Sequence, residues 1–212
     1  MRRLGSIPYA EGMLLQERLV RERRAGSAPD TLLLLEHPHV ITLGTAAHAE
    51  HVLVGDEERR LLGIELFEAG RGGDATYHGP GQLVAYPILQ LPLGRRDLHR
   101  YLRDLEAVVM DALAALGVES RRVPGRTGVW TDRGKIAAVG VRVSSGWITS
   151  HGFALNVGTD LRYFDAIVPC GIRDARVTSV EEELCRPVTL SRVQEVVVDA
   201  FERVFDLAAT AA

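Results

Sequence analysis

The sequence predicts an α+β fold in which mixed, mostly antiparallel strands are packed against helices. A helical stripe of apolar residues spans positions 98–116, and four strand-like segments joined by short turns follow it between positions 118 and 157. Short turns join antiparallel neighbours, whereas parallel neighbours need long crossovers. The chain has 212 residues and is 46% hydrophobic, which suits one globular domain. We therefore expect residues 1–212 to form a single domain.

The first part of the chain alternates helix and strand patterns. A helical period of apolar residues predicts a helix over residues 9–24, ended by a segment that contains Gly26 and Pro29. Short apolar segments predict strands at 31–35 and 40–43, and Pro38 forbids one continuous central strand. A short helix is expected at 56–62, closed by Gly63, with a strand at 64–69.

Two histidines, His37 and His39, are spaced like a pair of metal ligands. No third ligand follows nearby. We therefore interpret them as loop histidines with satisfied hydrogen bonds, and we predict no metal site.

Residues 71–82 form the most unusual stretch, Arg-Gly-Gly-Asp-Ala-Thr-Tyr-His-Gly-Pro-Gly-Gln. Its glycines can take positive φ and let a ligand approach the backbone closely. We interpret it as a ligand-holding loop at a sheet edge, with Arg71, Tyr77 and His78 as its polar groups. The alternative is a hairpin connection without a ligand, although such connections need only about two to five residues.

The second part predicts strands and two long helices. Asp97 is the expected cap of the helix at 98–116, and Gly117 closes it. Arginines 95, 96, 100 and 103 at its start or outer face form either a solvated surface or a docking patch for an acidic partner. Strands are predicted at 83–91, 118–123, 129–131, 135–143 and 147–157. A last helix is capped by Thr189, or by Ser191 with Gln194.

Composition excludes several classes of protein. The N-terminus lacks the apolar core of a signal peptide, and no apolar run approaches the ~20 residues that span a bilayer. Two cysteines do not make a disulfide framework, which favours a reducing compartment, so we expect a cytoplasmic protein. The formal net charge of −3 does not support a nucleic-acid partner.

Three residues are candidates for chemistry. Lys135 is the single lysine among 25 basic residues, which indicates either a role that needs a titratable ammonium or a codon bias that spared it. Cys170 lies between Pro169 and Gly171, outside any apolar pattern, which is typical of an exposed thiol. Cys185 follows three glutamates, which would make it a weak nucleophile. A catalytic Cys170 needs a nearby cation or base, and Lys135 or His78 could serve.

Four segments together closely resemble the lipoyl(octanoyl) transferases: residues 71–87, the segment Gly134-Lys135-Ile-Ala-Ala-Val-Gly140, the segment His151-Gly-Phe-Ala-Leu-Asn156, and Pro169-Cys170-Gly171-Ile172. They occur in the family's order over most of the chain. The resemblance implies a biotin/lipoate protein ligase-like fold. It also implies transfer of octanoyl from acyl carrier protein to a lysine of a lipoyl domain, with no cofactor.

Partners and site residues follow from the same resemblance. The acceptors would be the lipoyl domains of 2-oxoacid dehydrogenase complexes and the glycine cleavage H protein, and the enzyme would be a monomer with no nucleic-acid or membrane partner. Cys170 matches the family's acyl-thioester nucleophile, and Lys135 matches the basic residue that lowers its pKa. The substrate-binding positions are Arg71, Gly72, Gly73, Asp74, Ala75, Thr76, Tyr77, His78, Ala138, Val139, Gly140, His151, Gly152 and Phe153. His39 is a mild departure from the family pattern.

Two other functions remain open from the residues. An ATP-dependent lipoate or biotin-type protein ligase of the same fold would need a lysine but no cysteine. A non-catalytic module that binds acyl groups would keep its function after treatment with iodoacetamide. Thioester-to-thioester exchange is nearly balanced and thioester-to-amide transfer runs downhill, so a thiolate can perform the whole transfer without a nucleotide. Backbone N–H groups near Gly79 or Cys170 are candidate oxyanion donors.

Overall fold

The computed structural model describes residues 1–168 and 176–205. Its strands are β1 (Arg2–Ser6), β2 (Thr31–Glu36), β3 (Val40–Leu43), β4 (Glu65–Glu68), β5 (Ala75–His78), β6 (Gln82–Ile88), β7 (Arg121–Val123), β8 (Arg126–Trp130), β9 (Lys135–Ser144) and β10 (Ile148–Asn156). Its helices are α1 (Tyr9–Arg24), α2 (Asp56–Leu61), α3 (Leu98–Leu116), α4 (Val180–Leu184) and α5 (Leu190–Phe205). Short 3₁₀ turns lie at Ala49–His51, Leu93–Arg95 and Leu161–Ala166.

A seven-stranded sheet forms the centre of the protein, in the order β1-β2-β6-β10-β9-β8-β7. β1 runs parallel to β2, and the other neighbours are antiparallel. A smaller sheet has the order β4-β3-β5, with β3 parallel to β4 and antiparallel to β5. The mixed, mostly antiparallel arrangement predicted from the sequence is confirmed.

Helices α3 and α5 cover one face of the large sheet. α3 begins where the Asp97 carboxylate accepts a hydrogen bond from the backbone N–H of Arg100 at 3.1 Å. It ends at Gly117, whose φ of 85° is a left-handed conformation that glycine adopts without strain. Apolar side chains of both helices and of the strands beneath them form the largest core, which includes Leu105, Leu113, Phe153 and Phe201. We call this the helix-side core.

The opposite face of the large sheet is covered by α1 and by the small sheet. Leu19 of α1 is buried against Leu33 and Leu35 of β2. The small sheet encloses its own apolar cluster, in which Ile41 and Tyr77 meet Phe164 of the 3₁₀ turn. None of the described helices is long and apolar enough to cross a membrane.

The helix predicted at 9–24, the helix at 98–116 and its caps, and the antiparallel strands of the second part are confirmed. The last helix is capped by Thr189, whose hydroxyl accepts from the Arg192 N–H at 3.3 Å, and not by Ser191.

Three features were not predicted. The stretch 71–82 is not one loop, because it contains β5, a strand that pairs with β3 and is fully buried. It connects the two sheets, and β5 is an edge strand of the small sheet, so the predicted position at a sheet edge is confirmed. The strand β1 and the short helix α4 have too few apolar residues to show a period.

Candidate active site

A cavity lies between the large sheet and β5, on the face that α1 covers. It encloses about 480 Å³ of empty space, part of which is open to solvent. Side chains no larger than valine or threonine line its middle, namely Thr76, Val84, Ala138 and Ala154. Because Ala154 pairs with Val84 of β6 and with Ala138 of β9, these small residues form one row across three strands.

The alternation of β5 separates its side chains. Thr76 and His78 line the cavity, whereas Tyr77 is fully buried in the apolar cluster of the small sheet. The Tyr77 hydroxyl lies 2.7 Å from Nδ1 of His39, so this histidine is satisfied by a hydrogen bond. Among the described residues, no group of three or more histidine, cysteine or acidic side chains could hold a metal ion.

The glycines of the 71–82 stretch let it approach the large sheet. The Gly72 N–H donates to the Val141 carbonyl of β9 at 2.9 Å. A Cβ on Gly140 would lie 2.9 Å from the Gly72 carbonyl oxygen, so a side chain at Gly140 would push the two segments apart. Arg71 is thereby held in the cavity wall, where its guanidinium donates to the carbonyl and hydroxyl oxygens of Thr42 at 2.7 and 2.8 Å.

Asp74 lies at the mouth of the cavity. Its carboxylate accepts from the Ala75 N–H at 2.6 Å and lies 2.7 Å from Nδ1 of His51. Gly73 beside it is exposed. The predicted residues between 71 and 78 therefore follow the cavity from its exposed mouth to its buried interior, apart from Gly72 and Tyr77, whose side-chain positions do not face it.

Four rings close one end of the cavity: Tyr9, His78, Tyr86 and His151, each no more than 6% exposed. Behind these rings, His37 donates one hydrogen bond and accepts another. Its Nδ1 lies 2.8 Å from the Ile7 carbonyl, which can only accept, so Nδ1 carries the proton. Its Nε2 is then the acceptor for the Tyr86 hydroxyl at 2.9 Å. The position of the Tyr86 ring is thus fixed by a hydrogen-bond chain that reaches the backbone.

Burial keeps these histidines neutral. It lowers the pKa of His37 to about 4 and that of His78 to about 3. Burial, followed by the positive charges of Arg71 and Arg142, lowers the pKa of His151 to about 4. Burial also raises the pKa of Tyr9 to about 12, with Arg71 opposing the shift. The closed end of the cavity is therefore a set of uncharged rings at neutral pH.

His151 has a strained backbone. Its φ of 57° lies in the left-handed region, which is uncommon for residues other than glycine, within the strand β10. The buried Gln16 of α1 accepts the His151 N–H at 2.7 Å, which satisfies a donor that the distorted strand leaves unpaired. This bend places His151, Gly152 and Phe153 along the cavity.

Next to His78, a buried amide pair joins the cavity to a neighbouring segment. Gln82 Nε2 donates to the Tyr77 carbonyl at 3.1 Å and to Asn156 Oδ1 at 2.9 Å, and its Oε1 lies 2.7 Å from His78 Nδ1. Asn156 Nδ2 in turn donates to the Thr178 carbonyl at 3.0 Å. Both amides belong to strands of the large sheet, so they fix residue 178 against it.

Lys135 lies beside this amide pair, in a second, smaller cavity that shares Thr76, Ala138 and Ala154 with the first. A β-bulge turns the Lys135 side chain toward this second cavity. Val129 of β8 pairs with Ala137 and the next residue, Trp130, pairs with Lys135, so Ile136 is an extra residue in β9. Regular alternation would place Lys135 on the same side as Ala137, in the helix-side core.

Several contacts hold Lys135 in place. It is 5% exposed, and its Nζ lies 5.5 Å from the centre of the Trp130 ring. Its backbone N–H donates to the Arg176 carbonyl at 2.8 Å, and its carbonyl accepts from the Thr178 N–H at 3.0 Å. A Cβ on Gly128 would lie 2.5 Å from the Ala137 carbonyl oxygen and 2.7 Å from Lys135 Cε, so a side chain at this position would clash with the backbone of β9.

Most of the predicted substrate-binding residues meet at one cavity, and Lys135 lies at the adjoining one. Cys170 lies outside the described residues, as does the rest of its Pro-Cys-Gly-Ile motif. Sequence reasoning missed several residues of the site, among them Tyr9, Gln16, Gln82, Tyr86 and Asn156. Gln82 and Asn156 could have been found as polar residues at the ends of otherwise apolar strands.

Comparisons with known proteins agree with this geometry. Residues 8–202 match the lipoyl protein ligase A/B catalytic domain. The octanoyltransferase of Rubrobacter xylanophilus is 59% identical over 206 residues, which cover 96% of this chain and 92% of that protein. The octanoyltransferase of Solibacter usitatus is 52% identical, with 97% and 92% covered.

Solved structures share the fold at low identity. Lipoate-protein ligase A bound with ATP has a TM-score of 0.74 and 21% identity, covering 97% of this chain and 85% of that chain. Biotin protein ligase from Aquifex aeolicus, in complex with biotin and ATP, has a TM-score of 0.60 and 16% identity, covering 97% and 69%. The fold is that of the biotin and lipoate protein ligases, as the sequence predicted. The chain belongs to the lipoyl protein ligase A/B catalytic domain family, among its octanoyltransferases.

Proposed function

We propose that this protein transfers an octanoyl group from octanoyl-acyl carrier protein to a lysine of a lipoyl domain, through a thioester on Cys170. The observation that carries the proposal is the position of Lys135, a buried lysine beside a cavity whose middle is lined by small and mostly apolar side chains. The 59% identity to a protein named octanoyltransferase supports the same activity. The expected setting is the cytoplasm, and the expected form is a monomer.

The apolar cavity suits an octanoyl chain, which it recognises mainly through its apolar surface. Each methylene that leaves water contributes about 0.8 kcal/mol, so a saturated chain gains several kcal/mol from such walls. The rings at the closed end are uncharged at neutral pH, because burial lowers the pKa values of their histidines, and the positive charge of Arg71 acts on them from the cavity wall.

The reaction would proceed in two balanced steps. The Cys170 thiolate attacks the carbonyl carbon of the carrier thioester, the carbon–sulfur bond to the carrier breaks, and the carrier thiolate leaves and takes a proton. The acceptor lysine, as a free amine, then attacks the Cys170 thioester. An amide forms, the bond to Cys170 breaks, and the cysteine sulfur is released as thiolate.

Lys135 would stabilise the thiolate in both steps and exchange the proton with the leaving thiol and the incoming amine. The link between the two residues is supported by the backbone. Lys135 is hydrogen-bonded to Arg176 and Thr178, which follow the Cys170 segment directly along the chain.

The acceptors would be lipoyl domains of 2-oxoacid dehydrogenase complexes and the glycine cleavage H protein. One cysteine holds one acyl group, so donor and acceptor use the site in turn and ping-pong kinetics are expected. A ligase of the same fold would instead require ATP for every transfer.

The test is intact-mass analysis after incubation with octanoyl-carrier protein and no nucleotide. We expect the wild type to gain one octanoyl group and to lose it on addition of a lipoyl domain. Cys170→Ala should neither gain the group nor transfer it. Cys185→Ala is the matched control, since Cys185 is exposed at the end of α4, and it should retain both. Transfer by Cys170→Ala, or transfer only with ATP, would refute the proposal.

A further inference from the structure

Trp130 of β8 and Lys135 of β9 lie opposite each other on neighbouring antiparallel strands. Side chains at directly opposed positions point to the same side of a sheet, with their Cβ atoms about 5 Å apart. Both residues are buried, each 5% exposed. Lys135 Nζ lies over the Trp130 ring, 5.5 Å from its centre. The face of an indole ring attracts a positive charge within about 6 Å, so a protonated Lys135 is stabilised by this contact.

The β-bulge in β9 creates this pairing. Val129 lies opposite Ala137, so regular pairing would place Trp130 opposite Ile136 and Thr131 opposite Lys135. The extra residue instead brings Lys135 opposite the tryptophan. The bulge therefore exchanges an apolar neighbour of the ring for a lysine.

A second cation contacts the same ring. The guanidinium carbon of Arg126, four residues before Trp130 on β8, lies 5.6 Å from the centre of the ring. A Cβ on Gly128 would lie 3.3 Å from Lys135 Nζ, so the lysine side chain passes close to β8 at this glycine. Arg126 is exposed and water screens its charge, whereas Lys135 is buried and gains more from the ring.

We propose that Trp130 is a positioning residue of the reaction, whose ring face holds Lys135 Nζ at the second cavity. The inference rests on the proposed function only for the chemical steps that Lys135 serves. A buried amine loses most of its hydration, and the ring replaces part of that hydration from one fixed direction. Without the ring, Nζ could turn away from the cavity, and both acyl-transfer steps would become slower.

The alternative role for a buried tryptophan is packing alone. A side chain that only fills space could be replaced by another bulky apolar side chain without an effect on Lys135. Trp130→Phe keeps an aromatic face, although a weaker one, and Trp130→Leu keeps only apolar bulk. Trp147→Phe is the matched control, because Trp147 packs against the helix-side core.

The first measurement does not depend on catalysis. Lys135 is the only lysine of the chain, so full-length protein grown with ¹³C-labelled lysine gives the NMR signals of one lysine side chain. The ring current of an aromatic face shifts nearby protons upfield. We expect the Lys135 Cε protons to lie upfield of their position in free lysine, less far upfield in Trp130→Phe, and close to the free-lysine position in Trp130→Leu. Trp147→Phe should leave the signal at its wild-type position.

The second measurement gives the single-turnover rates of the two half-reactions, which are loading from octanoyl-carrier protein and transfer to a lipoyl domain. Trp130→Leu should slow both by about 10-fold or more, because Lys135 serves both steps. Trp130→Phe should slow them by less than about 3-fold, and this partial rescue by an aromatic ring is not expected from packing alone.

A lysine signal at the wild-type position in Trp130→Leu would overturn the inference. Loss of the upfield shift with both half-reactions at the wild-type rate would overturn it as well. If Trp130→Leu does not fold, the same lysine signal in Trp130→Phe and in the wild type would overturn it.

The two measurements also separate this inference from the proposed function. A wild type that transfers no acyl group, with an upfield shift that Trp130→Leu removes, would refute the proposed function and support the placement of Lys135 by Trp130. Normal transfer by the wild type, with its lysine signal at the free-lysine position, would refute the role of Trp130 alone.

Discussion

The buried histidines make the fold sensitive to mild acid. His37, His78 and His151 have pKa values lowered by burial to about 4, about 3 and about 4, against about 6.5 in an unfolded chain. The unfolded state therefore binds more protons between these values. The stability that the neutral histidines contribute is fully present above about pH 6.5 and is lost as the pH falls toward about 4.

The size of the effect follows from the shifts. At pH 5, each histidine would be protonated in the unfolded chain and mostly neutral in the folded one, which costs about 2 kcal/mol. Three such residues would remove roughly 6 kcal/mol, a large part of the 5–15 kcal/mol that stabilises a typical domain. Carboxylates of ordinary pKa remain mostly ionised at pH 5, so the histidines dominate this range.

The assay is urea unfolding at a series of pH values from about 7.5 to about 5, which gives the free energy of unfolding and, from its slope, the protons taken up. We expect unfolding to take up two to three protons per molecule near pH 5. His37→Gln keeps one donor and one acceptor but cannot titrate, so it should remove about one of them. His99→Gln on the exposed start of α3 is the matched control.

Uptake of less than one proton in the wild type would refute the assignment of neutral buried histidines. An unchanged slope in His37→Gln would remove His37 from the explanation. A reduction of similar size in His99→Gln would show that the slope does not arise from burial.

Two further predictions concern the Lys135 end of the site. Lys135→Met should lower transfer by about 100-fold or more and raise the pH at which iodoacetamide alkylates Cys170. Lys135→Arg keeps the positive charge, so it should retain more of the Cys170 thiolate while still transferring slowly. The same pH profile of alkylation in the wild type and both variants would contradict the role of Lys135. The fully buried Glu106 accepts the Gly128 N–H at 2.9 Å and pairs with Arg122 at 2.9 Å, so Glu106→Ala should lose about 3–5 kcal/mol in urea unfolding. Glu106→Gln keeps an acceptor and should lose less, and equal losses would show that the Gly128 contact is unimportant.

The sequence was sufficient to predict those parts of the fold in which apolar residues recur with a regular period. The apolar period of α3 continues over five turns and is bounded by Asp97 and Gly117, so its position was predicted closely. β5 has only four residues, bracketed by glycines, and its pairing with β3 is a long-range contact that no local pattern reveals.

The sequence predicted many of the residues that belong to the site, but it did not predict how they are arranged. Lys135 could be singled out because it is the chain's one lysine. Its direction depends on the extra residue Ile136, and a bulge leaves no mark in the pattern of apolar residues. Tyr86 was not identified for another reason. In an apolar strand, a tyrosine ring is interpreted as part of the core, and only the small residues beside it in the structure show that it borders a cavity.

The two hydrogen bonds that join Lys135 to residues 176 and 178 have a consequence for local unfolding. The N–H of Lys135 and the N–H of Thr178 are protected from exchange by the same short piece of backbone pairing. If residues 176–178 detached from the sheet, both amides would become exposed together, and Nδ2 of Asn156 would lose its acceptor at the same moment. The two amides would therefore exchange in one cooperative opening, while Lys135 stays paired with Trp130 of β8.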